Sequence, residues 1–236
     1  MGSGKRQARL AVAAWEGQDT LPKPRGSGQA YNSRMPVIRE DSDPVALTAQ
    51  ADIHRFYVRV IQPAMMEFAP AEDIPGFETA DLDVFLEAAS QHTHNALCYE
   101  MRRTFALVLG ALFERQLRLW LSGKTPGEAK KIETDTWLGL IERAKVAVGA
   151  TIIPEMADLE ALGSVANAVR HGNGRSTTKL LKDVPHFWDR AARVSKSGWE
   201  SDLVGNMRIS GADLEKYVIA VLKFWHMAGA SQVPMA

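Results

Sequence analysis

The residues NAVRHGNGRS at 167–176 gather the side chains of this chain best suited to chemistry. Asn167 and His171 stand four apart, Arg170 adjoins the histidine, and Asn173 and Arg175 follow in a glycine-rich turn. A histidine takes or gives a proton near neutral pH. A guanidinium neutralises charge on phosphoryl oxygens, and a carboxamide can orient an imidazole or a phosphate. Together these types suit the handling of a phosphodiester. They also suit an ordinary helix end. Basic side chains in a last turn are favoured by the helix dipole, by about 0.3–1 kcal/mol, and Gly172 can take the left-handed conformation that stops a helix.

The element that must position them is an amphipathic helix over 154–171, with Pro154 in its first turn. At 100° per residue, Leu159, Leu162, Val165, Ala166 and Val169 share one side, and Glu160, Ser164, Asn167 and His171 share the other. Asn167 and His171 are then vertical neighbours, able to act on one group.

The surrounding pattern is helical almost throughout. A helix begins after Asp43, a candidate N-cap, with Pro44 in its first turn, and Pro63 is expected to end or kink it. A loop spans 69–78. A very long helix is expected over 79–123, capped by Thr79, with a candidate break near 90–95 and a stop at Gly123. Its run TFALVLGALF (104–113) is apolar on nearly every face, as in the centre of a bundle. After the turn KTPGEAKK come a helix over 132–149, closed by Gly149, and the helix at 154–171. A short helix over 185–194, an irregular stretch at 195–210 with room for a small hairpin, and a last helix over 210–229 capped by Ser210 complete the chain. Without internal repeats or alternation of strands and helices, the fold class is all-α, a bundle of about five to six helices. Residues 1–42, with Lys5, Arg6, Arg9, Lys23, Arg25, Arg34 and Arg39 against few acids, are expected to be a disordered basic tail, and 43–236 a single helical domain.

Bulk properties exclude more than they select. The 236 residues carry 28 basic and 28 acidic side chains, so any case for nucleic acid rests on local patches. One cysteine, Cys98, precludes an internal disulfide and fits a reducing cytoplasm. No apolar run reaches the roughly 18–20 residues that span a bilayer, so no membrane association is expected. Cys98 and His94 share a helical face, but His92 faces away and no further ligand has suitable spacing, so no metal and no cofactor is expected. His54, His186 and His226 read as isolated. Glu100–Arg103 and Glu114–Arg118 read as helix-spaced ion pairs.

The stretch ANAVRHGNGRS, at the end of an amphipathic helix, resembles the R-N-x-x-x-H signature of the HEPN superfamily of all-α proteins. The matching residues are Asn167 and His171, followed by Gly172 and Asn173. The long apolar helix before them and the last helix ISGADLEKYVIAVLKFW after them extend the likeness over about 80–228. The resemblance implies RNA binding and, in catalytic members, metal-independent endoribonuclease chemistry, in which a ribose 2′-OH attacks the adjacent phosphate. It further implies a cytoplasmic homodimer acting as a prokaryotic toxin or antiviral effector, with an antitoxin or defence-system protein as partner. His171 would move the proton, Asn167 would hold the imidazole or phosphate, and Arg170 would counter its charge. Arg102, Arg103, Asn173 and Arg175 would bind RNA or phosphate. The chain departs from the pattern where the family's arginine should stand, at 164–166, which here holds Ser164, Val165 and Ala166. That departure leaves an alternative open: a catalytically inactive dimerisation or interaction module on the same fold.

Overall fold

The computed structural model describes residues 43–72, 81–149, 155–188 and 203–230. Residues 1–42, 73–80, 150–154, 189–202 and 231–236 lie outside the described residues, and with them the expected basic tail, Thr79, Pro154 and most of the helix expected at 185–194. Among the described residues there are seven helices and no strand, so the all-α expectation holds with a slightly higher helix count.

Helix α1 runs through Pro44–Phe56, a π-helical turn at Tyr57–Ile61 and Gln62–Glu67. Pro63 therefore does not end it. The Gln62 amide donates to the Tyr57 carbonyl five residues back, and this wider turn admits a proline that lacks its own N–H. Helix α2, Leu82–Lys124, continues unbroken for 43 residues, about 65 Å at 1.5 Å per residue. The stretch 90–95 stays helical because Asn95 and Gln91 hydrogen-bond to the strap at Ala71 and Glu72. Asp81 caps α2 by accepting the amides of Asp83 and Val84.

The helix expected at 132–149 is divided into α3, Ala129–Thr134, and α4, Trp137–Val148. Asp135 is extended between them, and the Thr136 hydroxyl accepts the Gly139 amide, restarting the helix. Arg118 of α2 closes α3 by donating to the carbonyls of Ile132, Glu133 and Asp135. Helix α5, Met156–His171, is followed by α6, Arg175–Asp183, which the NG turn signal had hidden, and by α7, Gly211–Ala230. Of the stretch at 195–210, where a small hairpin was expected, residues 203–206 form a turn and 207–210 have no regular structure, while 195–202 lie outside the described residues. Ser210 does cap α7, and Asp213 returns the bond to the Ser210 amide.

The core lies where α7 packs on α1 and α2, with α5 laid along α2. Phe113, Trp120, Phe224 and Trp225 meet largely edge to face, with ring centres 5.0–6.1 Å apart. Each such side chain, once buried, stabilises the fold by about 1.5–3 kcal/mol. The run at 104–113 is not buried all round: Ala106, Leu109, Gly110 and Phe113 face inward and Val108 faces out. The contact that places α5 is close. A Cβ on Gly110 would lie 2.9 Å from the Ala166 Cβ, and one on Gly163 would strike the Trp137 ring.

One carboxylate joins three helix ends. Asp43 accepts the amides of Val45 and Ala46 at the head of α1, and the Trp120 indole N–H and the Lys124 ammonium at the tail of α2, both at 2.9 Å. Its own amide donates to Gly229 of α7. Burial pushes this carboxyl up, but Lys124 and Trp120 outweigh burial and hold it below its ordinary value of 3.8. Because the folded value lies below the unfolded one, the stabilisation is complete above about 3.8 and fades as pH falls through the folded value. Asp43→Ala is expected to lower stability by about 1–3 kcal/mol at pH 7, through a lost cap and an orphaned indole. Urea unfolding at pH 7 and again below pH 3.8 should show the gap between wild type and Asp43→Ala narrowing in acid.

Candidate functional site

The last turn of α5 presents the candidate residues on a short, well-defined support. Gly172 ends the helix with φ +75°, a conformation open to glycine at little cost, and its amide donates to Ala168. The Gly172 carbonyl then accepts the Thr177 hydroxyl at 3.1 Å, which turns the chain directly into α6. Arg170 and His171 are exposed at this end, and Asn167 is half-buried one turn earlier. The i, i+4 spacing puts Asn167 and His171 side chains about 5–6 Å apart at Cβ. The Asn167 carboxamide makes no side-chain hydrogen bond among the described residues.

The structure also shows why the arginine of the HEPN pattern has no place at two of its three candidate positions. Val165 is fully buried, and Ala166 is held against Gly110 of α2 with no room for a longer side chain. Only Ser164 lies on the face of His171, seven residues back, and its hydroxyl donates to the Glu160 carbonyl of its own helix.

Arg102 and Arg103 sit elsewhere than on an open phosphate surface. Both are buried on α2. Arg103 donates to the carbonyls of Gly205 and Met207 at 2.8 and 2.7 Å and pairs with Glu100 at 2.5 Å. Arg102 donates to the Ile209 carbonyl at 3.4 Å and lies 5.6 Å from the Tyr99 ring centre, with its Nε unpartnered. Burial lowers the Arg102 value. Arg208 approaches the same ring at 5.5 Å. Asn173, at the other end of the contact, accepts the Val204 amide at 3.2 Å. Three of the seven candidates therefore grip one segment, 203–209, and lock it between α2 and the end of α5.

What remains exposed is more basic than the sequence pattern suggested. Between 161 and 182 the chain has no acidic residue, while Arg170, His171, Arg175, Lys179 and Lys182 are all exposed. On α6, residues 175, 179 and 182 fall on one stripe, opposite buried Thr177 and Leu180. Lys179 and Lys182 were missed because α6 was not recognised; the i, i+4, i+7 spacing of RSTTKLLK carried the signal.

The other constellations are local. His186 is not isolated: its Nε2 lies 3.2 Å from Asp213 Oδ1, which braces the 3-10 turn Pro185–Phe187 against the head of α7. Cys98 is buried with Sγ 3.5 Å from His94 Nε2, and no group of three or more His, Cys, Asp or Glu side chains converges among the described residues. No described helix is long and apolar enough to cross a membrane. No family model, curated protein or solved structure matches the chain.

Arg103→Ala would leave the buried Met207 carbonyl without its donor and free the more exposed Gly205 carbonyl and Glu100 to water. A loss of about 1–3 kcal/mol is expected in chemical unfolding. Arg170→Ala, at an exposed position, should stay within about 0.5 kcal/mol of wild type.

Proposed function

We propose that this chain binds RNA across the basic face formed by the end of α5 and the outer stripe of α6, with His171 at its centre. The observation that carries the reading is the acid-free run 161–182, whose four exposed cations flank an exposed imidazole. A phosphodiester backbone is the ligand such a face suits, since it offers a negative charge at every nucleotide and needs no deep pocket. Arg170, Arg175 and Lys179 contact phosphates. Asn167, with no side-chain hydrogen bond among the described residues, orients the bound group, and His171 is the proton-transfer residue of a metal-independent attack by the ribose 2′-OH. The HEPN resemblance of ANAVRHGNGRS supports the same assignment.

A second reading is favoured by a specific observation. With Ala166 and Val165 in the core and Arg102 and Arg103 fastened to 205–209, neither the usual position nor α2 supplies a cation beside His171. On that reading the bundle is a HEPN-like dimerisation or interaction module without chemistry.

The two readings separate in a direct assay. Incubated with total RNA and a chelator, the wild-type protein should cut RNA, and His171→Ala should lower the rate by about 100-fold or more, the usual contribution of a positioned proton-transfer group. Equal rates, or no cleavage by either protein, favour the module; expression in a bacterial host, toxic for wild type and harmless for His171→Ala, is the cellular counterpart.

Binding is measured separately by fluorescence anisotropy with single-stranded RNA. Arg175→Ala combined with Lys179→Ala should weaken affinity at every sequence and flatten the salt dependence by about 0.7 per lost phosphate contact. Unchanged affinity and slope would remove this face from the RNA reading.

A further inference from the structure

The first third of α2 carries a surface that the rest of the described fold does not use. Its inner side, Ala88, Asn95 and Cys98, is buried, and the strap at 69–72 runs along it through Asn95, Gln91 and His94. The opposite side is apolar and open. Leu82 is 68 % exposed, Leu86 54 % and Leu97 64 %. With Ala89 and Thr93 between them, these residues fall at spacings of four, three, four and four, within one narrow stripe about 22 Å long. An apolar stripe of this length on a helix is the geometry that receives a second amphipathic helix.

Charge indicates which one. From 60 to 101 the sequence holds Glu67, Glu72, Asp73, Glu78, Asp81, Asp83, Glu87 and Glu100 and no Lys or Arg. The complementary sequence lies in the same chain. Residues 1–39 hold seven basic side chains against Glu16 and Asp19. Within them, KRQARLAVAAW (5–15), written at 100° per residue, places Lys5, Arg6 and Arg9 in one sector and Leu10, Val12, Ala14 and Trp15 in the remainder. Asp83 and Glu87, both on one flank of the stripe, disfavour antiparallel pairing with a second copy of itself, where carboxylate would meet carboxylate.

The tether is long enough. Asp43 is fixed beside Trp120 and Lys124, and the stripe begins about 35 Å back along α2, at Leu97, and passes Leu86 at about 50 Å. Residues 16–42 span up to about 90 Å when extended, and about 30 Å as a flexible coil. Docking within one chain also avoids the loss of translational freedom that an intermolecular partner incurs.

We propose that the outer stripe of α2, Leu82–Leu86–Leu97 with Asp83 and Glu87 along one flank, is the docking surface for residues 5–15 of the same chain. The apolar sector of 5–15 covers the leucines, and Lys5, Arg6 and Arg9 meet Asp83 and Glu87. The test uses the full chain with a photocrosslinker in the stripe, Leu97→p-benzoylphenylalanine, irradiated at low micromolar concentration and mapped by mass spectrometry. Val146→p-benzoylphenylalanine, at an exposed site on α4, is the control.

The expected product is a monomer crosslinked within itself to residues 5–15. Its yield should fall at least fivefold in the Lys5→Glu, Arg6→Glu, Arg9→Glu variant and recover when Asp83→Lys and Glu87→Lys are added. Crosslinks to a second copy, whether to its stripe or to its basic face at 170–182, overturn the proposal. So does a yield no higher than the control, or one that charge reversal leaves unchanged.

Discussion

The close approach of α5 to α2 governs most of what this molecule can do. Gly110 leaves a space that the Ala166 methyl fills, and Gly163 admits the Trp137 ring from α4 on the neighbouring side. Small residues at these two points let the helices approach until Leu159, Leu162 and Val165 are fully buried. The rotation of α5 about its axis is thereby set. Asn167 and His171 turn outward because the opposite face is committed to the core, and position 166, where an arginine would complete the HEPN pattern, is given over to packing. A single steric constraint thus both turns Asn167 and His171 outward and commits position 166 to packing.

The arginines of α2 show how the fold itself can take up a charged side chain. Arg102 and Arg103 lie on the side of α2 that faces the 203–209 segment, where backbone carbonyls need donors. A guanidinium with several donors in a fixed plane satisfies such carbonyls well, and its charge is balanced at Arg103 by Glu100. Arg118 performs the same service at the end of α3. In this bundle Arg102, Arg103 and Arg118 tie irregular chain to α2, while the cations of α5 and α6 stay exposed.

Charge is distributed in the same divided way. A net charge of zero conceals an acidic stretch at 60–101, a basic stretch at 1–39 and an acid-free one at 161–182. At ordinary ionic strength fields are screened beyond about 8–10 Å, so each patch acts on what lies next to it and the total has little meaning for function.

The helical class was legible in the sequence because apolar spacing repeats with the helical period and because Asp43, Ser210, Gly149 and Gly172 are stop and start signals that act within one turn. The outward face of α5 was legible for the same reason. Local pattern did not reveal the continuity of α1 past Pro63, the persistence of α2 through 90–95, the division of α3 from α4, or the existence of α6. Three depend on a wider turn or on a partner distant in sequence, namely the π-helical turn at Tyr57–Ile61 for α1, the strap at 69–72 for α2 and the reach of Arg118 for α3; the pattern of α6 is local but stands behind the NG turn signal. Nor did spacing show that Arg102 and Arg103 face inward, since an arginine is identical on paper whether it meets water or a buried carbonyl. Periodicity determines which face of a helix is apolar; only the folded arrangement decides which polar groups on the remaining faces are occupied by the protein itself.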